Sequence, residues 1–247
     1  TGEIHAVLLT KGGRINLIIE RKAKINIDEF KFGAELLSLP ADEIRETMKS
    51  MIVMQQVYNA AIREVSAKIE ILDDEFHVKF AHNPIHHIES RLKQPQSIRE
   101  KLLRKGITPD MKLAPEHIMD IAGIRVICYY ISDIYTIAEL LLKQDDITLI
   151  KRSDYIKNPK PTGYRSLHLV LSVPVFLSEG IRNVPVEVQI RTIAMDFWAS
   201  LEHQLKYKSD ITVKDDLQRE LAECAESITA IDEKMQSIYF RLNSKLE

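Results

Sequence analysis

From Val184 to Arg191 the chain alternates with a two-residue period. Val184, Val186, Val188 and Ile190 are apolar, while Glu187, Gln189 and Arg191 between them are polar. Successive side chains of a strand point to opposite faces, so this segment lays its aliphatic row on a core and presents a carboxylate, an amide and a guanidinium together on the other side. Such a row needs either solvent or a functional cleft, because buried polar groups without partners are costly. The chain therefore has to build a sheet with one apolar face and at least one polar strand row.

The neighbouring segments supply that sheet. Ile85–Lys93, Ile124–Tyr130, Thr148–Arg152 and Ser166–Val173 read as strands, and Gln96–Lys105, Asp133–Lys143 and Ala194–Tyr207 read as helices. Strands mixed with helices predict an α/β (α+β) fold, a twisted sheet with helices packed on it. Two long helices flank this core. Apolar residues three or four apart, with no internal Pro or Gly, predict a helix over 41–72. Leu217, Leu221, Cys224, Ile228, Ile231, Met235, Ile238 and Leu242 trace a heptad seam along a helix over 213–245, which serves either the chain's own core or a subunit interface. Along Ala194–Tyr207, Phe197, Trp198, Leu201 and Leu205 form an apolar face, and Phe197 and Trp198 are read as core. Residues 1–40 read as a small hairpin around Gly12-Gly13 or as a segment foreign to the domain.

Charge is segregated. The 34 Lys and Arg nearly balance the 36 Asp and Glu, which argues against a DNA-wrapping protein or a polybasic membrane binder. Yet Arg91–Lys105 holds six basic residues against Glu100, and Lys151–His168 holds five against Asp154, whereas 213–247 is net acidic. Apolar runs are too short for a membrane span, and no secretory signal is evident. Two cysteines, Cys128 and Cys224, form neither a disulfide framework nor a metal motif, which fits a reducing, cytoplasmic setting. His82, His86 and His87 lack the partners of a zinc site, and in a strand His86 and His87 would face opposite ways.

Two basic clusters, one with Tyr164 in a Pro/Gly loop, suit an anionic ligand bearing a flat base; solvated faces are the simpler alternative. Two carboxylates lie beside them. Asp120 falls at a helix end just before the Ile124 strand, and Glu187 lies on the polar row. An acid pair in a cationic setting can hold Mg²⁺ against a polyphosphate, since that ion prefers hard oxygen ligands; two unrelated surface acids are the alternative. The residues alone leave three classes open: a pyrophosphokinase, another Mg²⁺-dependent nucleotidyltransferase, and a catalytically silent RNA-binding or regulatory module.

In order along the chain stand Arg91-Leu-Lys93-Gln-Pro-Gln-Ser97-Ile, Asp120-Ile-Ala-Gly-Ile-Arg125, Pro161-Thr-Gly163-Tyr164-Arg165-Ser-Leu-His168, Glu187-Val-Gln189-Ile-Arg191-Thr and Phe197-Trp198-Ala-Ser-Leu-Glu202-His203. This set, over Ile85 to about Tyr207, resembles the synthetase motifs of the RelA/SpoT family. The resemblance implies a nucleotidyltransferase-like synthetase fold with a mixed, mostly antiparallel sheet, in a single domain over 41–247. It points to a small alarmone synthetase without hydrolase, TGS or ACT modules, and Ile85–Lys93 looks most like the RelP-type branch.

The activity so implied is GTP/GDP pyrophosphokinase, with ATP and GDP or GTP as substrates and Mg²⁺ as cofactor. Arg91 and Arg125 match the pair that sandwiches adenine; Lys93, Ser97, Lys101 and Arg104 match ATP-phosphate contacts. Asp120 and Glu187 match the catalytic, Mg²⁺-binding carboxylates, and Glu187 also matches a base for the acceptor 3′-hydroxyl. Tyr164 matches the guanine-stacking residue, with Lys160, Arg165 and His168 around the acceptor and Gln189 and His203 in the same site. Asp196 stands where many relatives carry Asn. The resemblance also implies a homotetramer built through the flanking helices.

Overall fold

The computed structural model describes residues 5–11, 14–20, 41–208 and 215–243. The chain divides into two units, Thr1–Ile44 and Arg45–Glu247. In the first, β1 (His5–Lys11) pairs antiparallel with β2 (Arg14–Glu20), so the two short runs do form a hairpin; residues 21–40 lie outside the described residues.

Next comes α1 (Ala41–Lys79), a turn and more longer than the apolar period predicts. The period lapses at Asp73-Asp74, but the segment remains free of Pro and Gly, and Lys79 donates to Glu75 one turn back at 2.7 Å. The order continues through β3 (Ile85–Leu92), α2 (Pro95–Arg104), a one-turn α3 (Ala114–His117), β4 (Ala122–Cys128), α4 (Ile131–Leu142), β5 (Thr148–Asp154), β6 (Leu167–Leu177), β7 (Gly180–Thr192), α5 (Ile193–Lys208) and α6 (Asp215–Asn243). Asp120 is not at a helix end: α3 stops at His117, and Ile118 is already extended.

The five-stranded sheet has the order β3-β4-β7-β6-β5, with β4 and β7 parallel and the other neighbours antiparallel. The fold is thus the mixed, mostly antiparallel α/β arrangement expected. β6 and β7 extend beyond the predicted ends into a hairpin turned at Gly180 (φ 128°), where only Gly is comfortable. Phe176 and Ile181 near its tip are exposed, so the burial pattern that marks a strand fades there.

One sheet face is the core. Ile124, Val126, Cys128, Leu167, Leu169, Leu171, Val186, Val188 and Ile190 are at most 2% exposed. Burying each large aliphatic contributes about 1.5–3 kcal/mol relative to exposure. α4 packs against β4 and β7 with Ile134, Ile137 and Leu141 wholly buried.

Two further readings need correction, and one is divided. Trp198 is buried and donates its indole N–H to Leu221 O at 3.2 Å, but Phe197 is 57% exposed. The two lie about 100° apart on the helix, so packing against α6 accommodates only one of them. The heptad seam of α6 is divided between its inward and outward sides. Leu221, Ala225, Ile228, Asp232, Gln236 and Tyr239 turn inward, whereas Ile231, Met235 and Leu242 are exposed; the side chain of Leu217 lies outside the described residues. Finally, an irregularity between Ile85 and His87 turns His86 and His87 toward each other, with Nδ1 atoms 2.7 Å apart, where unbroken alternation would separate them.

Candidate active site

The face opposite the core carries the polar row. Register places Arg91, Gly123, Glu187 and Val170 side by side across β3, β4, β7 and β6, and Glu89, Arg125, Gln189 and His168 in the next row. Gly123 leaves the floor bare between Arg91 and Glu187. A Cβ there would sit 3.7 Å from Arg91 Cγ, in ordinary contact, so the missing side chain opens space without being forced by strain. Arg91 and Arg125 are diagonal neighbours across β3 and β4. Such neighbours stand about 7–8 Å apart, roughly twice the stacking distance of a flat ring.

Asp120 lies at the entry to β4, beside the end of β3, where Lys93 N donates to Ile121 O at 2.8 Å. Its Oδ2 accepts from Lys93 Nζ at 2.8 Å and from Lys101 Nζ at 2.7 Å. Burial pushes this carboxyl up, but the ammonium groups of Lys101 and Lys93 outweigh burial and hold it below its ordinary value. Oδ1 is buried and has no hydrogen-bond partner among the described residues. Such an orphaned hard oxygen, on a carboxylate within electrostatic reach of a second acid, suits a Mg²⁺ ligand. Glu187 is that second acid.

Both oxygens of Glu187 are engaged, neither of them by a lysine or an arginine. Oε1 lies 3.3 Å from His168 Nδ1, and Oε2 accepts from Gln189 Nε2 at 2.7 Å. Burial raises this carboxyl, and the His168 and Gln189 contacts more than compensate, leaving it lowered. Tyr164 Oη lies 2.8 Å from His168 Nε2 and accepts from Arg191 Nη2, which also donates to Gln189 Oε1 at 2.8 Å. Arg191, only 4% exposed, further donates to Asp196 Oδ1 at 3.1 Å and Ser166 Oγ at 3.3 Å. Asp196 Oδ1 is also 3.4 Å from Arg125 Nη1, linking the two arginines.

Tyr164 is presented by Gly163 (φ 85°), packed so closely on α6 that an added Cβ would collide with the Ala225 side chain. Lys160 Nζ lies 4.6 Å from the Tyr164 ring centroid. Ser97, half-buried, and Lys101 lie one turn apart on α2, whose first turn has no acidic residue or side-chain cap.

The structure thus brings together Arg91, Lys93, Lys101, Asp120, Arg125, Lys160, Tyr164, His168, Glu187 and Gln189. Arg104 and His203 are exposed and take no part in these contacts. Arg165 turns away from Tyr164: its Nη2 donates to Ile156 O at 3.3 Å and lies 3.9 Å from Glu233 of α6. Arg191 and Ser166 went unassigned in the sequence. Alternation alone put Arg191 on the polar row, but beyond Gln189 its partners come from the loop before β6 and from α5.

The motif order and geometry have counterparts. Residues 90–212 match the region found in RelA / SpoT proteins. The chain is 45% identical over 197 residues to the GTP pyrophosphokinase YwaC of Bacillus subtilis, covering 80% of this chain and 94% of that protein. It is 36% identical over 181 residues to the GTP pyrophosphokinase YjbM of the same organism, covering 73% and 84%. The crystal structure of small alarmone synthetase 1 from Bacillus subtilis bound to its product pppGpp superposes with a TM-score of 0.74 at 33% identity, covering 79% of this chain and 99% of that one. Small alarmone synthetase 2 from Bacillus subtilis gives a TM-score of 0.69 at 46% identity, covering 75% and 96%. Sharing this family's sequence, strand arrangement and motif order, the chain belongs to the RelA/SpoT family.

Proposed function

We propose that this protein transfers the β,γ-pyrophosphate of ATP to the 3′-hydroxyl of GDP or GTP, giving AMP and ppGpp or pppGpp. The observation that carries this reading is the gathering of Arg91, Arg125 and Tyr164, which can each offer a flat group to a base, around the acids Asp120 and Glu187. The names of its relatives support the same reading.

Adenine stacks between Arg91 and Arg125, whose planar guanidinium groups suit a ring face as an ammonium does not. The triphosphate meets Lys93 and Lys101, with Ser97 and the open first turn of α2 beyond them and Arg104 at the rim. Guanine stacks on Tyr164, with Lys160 and His168 close by and Arg165 and His203 at the periphery of the acceptor site. Asp120 and Glu187 would hold Mg²⁺, which neutralises phosphate charge when bound. The acceptor 3′-oxygen attacks the β-phosphorus, the bond from that phosphorus to the α-phosphate oxygen breaks, and AMP departs. The hydroxyl proton passes to a carboxylate oxygen of Glu187, which Gln189 and His168 hold ionised and oriented. Catalysis is alignment and charge stabilisation, without a covalent intermediate.

The synthetase is assigned to 41–247 and acts as a homo-oligomer, a tetramer through its flanking helices. In support, Ile193, Phe197, Leu201 and Leu205 form an exposed apolar stripe on α5, and Ile231, Met235 and Leu242 are exposed on α6. No described helix is long and apolar enough to cross a membrane. Cys128 and Cys224 are unpaired, which suits the cytoplasm. Light scattering tests the assembly. Incubation with ATP, GDP and Mg²⁺ followed by nucleotide separation tests the reaction: AMP and a guanosine 3′-diphosphate must appear together. A different nucleotidyl product, or none from folded protein, sinks the assignment.

A further inference from the structure

Five side chains on the sheet face close a ring. Arg191 donates to Tyr164 Oη and to Gln189 Oε1; Gln189 donates to Glu187 Oε2; Glu187 Oε1 meets His168 Nδ1; and His168 Nε2 meets Tyr164 Oη. A guanidinium is a donor only, so the polarity of the ring is set at Arg191. Because Tyr164 Oη accepts from Arg191, its single proton is free to be donated to His168 Nε2. Burial pushes the Tyr164 phenol up, so that proton is retained. An ionised carboxylate only accepts, so Nδ1–H donates to Glu187, and in the neutral imidazole Nε2 then accepts the Tyr164 proton.

We infer that Arg191 is the positioning residue of the acceptor half: through Tyr164 it fixes His168 as the Nδ1–H tautomer, and through Gln189 it orients the opposite oxygen of Glu187. Both arms converge on one carboxylate, so its two oxygens are aimed by a residue that touches neither. Arg191 is suited to this because it is itself immobilised, 4% exposed and held from the far side by Asp196 and Ser166. The donor half shares no member of the ring; its Asp120 is held by Lys93 and Lys101. This role rests on the pyrophosphokinase reading for its effect on turnover, though not for the geometry.

The test uses the full chain with Arg191→Lys, Tyr164→Phe and the double variant. Tyr164→Phe keeps the stacking ring and removes only the hydroxyl link, so it serves even if Arg191→Lys fails to fold. Each single variant is expected to lower kcat by about 10- to 100-fold, the scale of a misaligned reacting group, with the KM for ATP changed less than about twofold. The double variant is expected to lose little more than the worse single, because both break one circuit. Losses that multiply, or undiminished kcat in Tyr164→Phe, overturn the role. Independently of activity, long-range ¹H–¹⁵N correlation on ¹⁵N-histidine-labelled protein reads the tautomer of His168. Nδ1–H is expected in the parent chain and its loss in Tyr164→Phe; Nε2–H in the parent chain overturns the inference. A parent chain that shows Nδ1–H but makes no guanosine 3′-diphosphate leaves the ring standing and defeats only the reaction assigned to it.

Discussion

Asp120 and Glu187 are both half-buried acids on one sheet face, both held below their ordinary values, yet they are held in opposite ways. Two ammonium groups crowd one oxygen of Asp120 and leave the other without a partner. Each oxygen of Glu187 instead has its own neighbour, the His168 ring on one side and the Gln189 amide on the other. Around Asp120, then, opposite charges satisfy one another. Around Glu187 the contacts fix a direction instead.

Removing each acid is the strongest way to break this contrast. Glu187→Gln and Asp120→Asn should each lower kcat on the order of 10³-fold, the scale of losing a proton acceptor or a fixed charge at a reacting centre. They should differ in binding: Asp120→Asn releases Lys93 and Lys101, so calorimetry should show ATP binding without Mg²⁺ tightened, whereas Glu187→Gln should leave it unchanged. Equal effects on ATP binding would erase the distinction.

Next in size is Tyr164→Ala. Stacking on a base is worth about 1–3 kcal/mol, so the KM for the guanine nucleotide should rise roughly 5- to 150-fold while that for ATP stays put. The donor-side counterpart is Arg91→Lys, which keeps the charge but loses the plane; a rise of about tenfold in the KM for ATP alone is expected from steady-state kinetics. A shift in the guanine-nucleotide KM would place Arg91 on the wrong side.

Gly163→Ala tests the brace under the acceptor loop. It forces a side chain into a left-handed backbone and onto Ala225, and should destabilise by about 1–3 kcal/mol. Calorimetric Tm should fall by several degrees.

The smallest effect is on the pH dependence of stability. The lowered Asp120 contributes stability above the ordinary carboxylate value and loses it as pH falls through its lowered folded value. Asp232 is the reverse: burial raises it despite the Thr192 hydroxyl bond, so its contribution is present at low pH and is lost as pH rises through the raised value. Asp120→Asn should therefore shrink the acid-side loss of Tm, and Asp232→Asn the loss above it. Superimposable Tm profiles would remove both assignments.

Much of this was legible in the sequence because it is periodic. The two-residue alternation of β7 placed Glu187, Gln189 and Arg191 on one face, and the order of motifs marked the segments that meet around it. What was not legible depends on register and bulges. Arg191 and Tyr164 are 27 residues apart, and only the pairing of His168 with Gln189 brings β6 far enough along β7 to close the ring. Heptad spacing left the seam of α6 open between core and interface because it reports apolarity, whereas the face that packs inward also carries Asp232 and Gln236, each satisfied by a hydroxyl group. Phe197 misled, being apolar beside a buried tryptophan without sharing its side of the helix.

The pairing of Gly123 with Glu187 across the parallel β4 and β7 also governs which changes in length the chain can accept. A residue inserted in the exposed turn at 178–179 alters only the connection between β6 and β7. One inserted between Val184 and Glu187, with the rest of β7 kept in place, swaps the two faces of the strand segment it displaces. The valines then reach the nucleotide and the carboxylate enters the core. Along β7, catalytic competence therefore behaves like a reading frame, tolerant of many substitutions and intolerant of a single step.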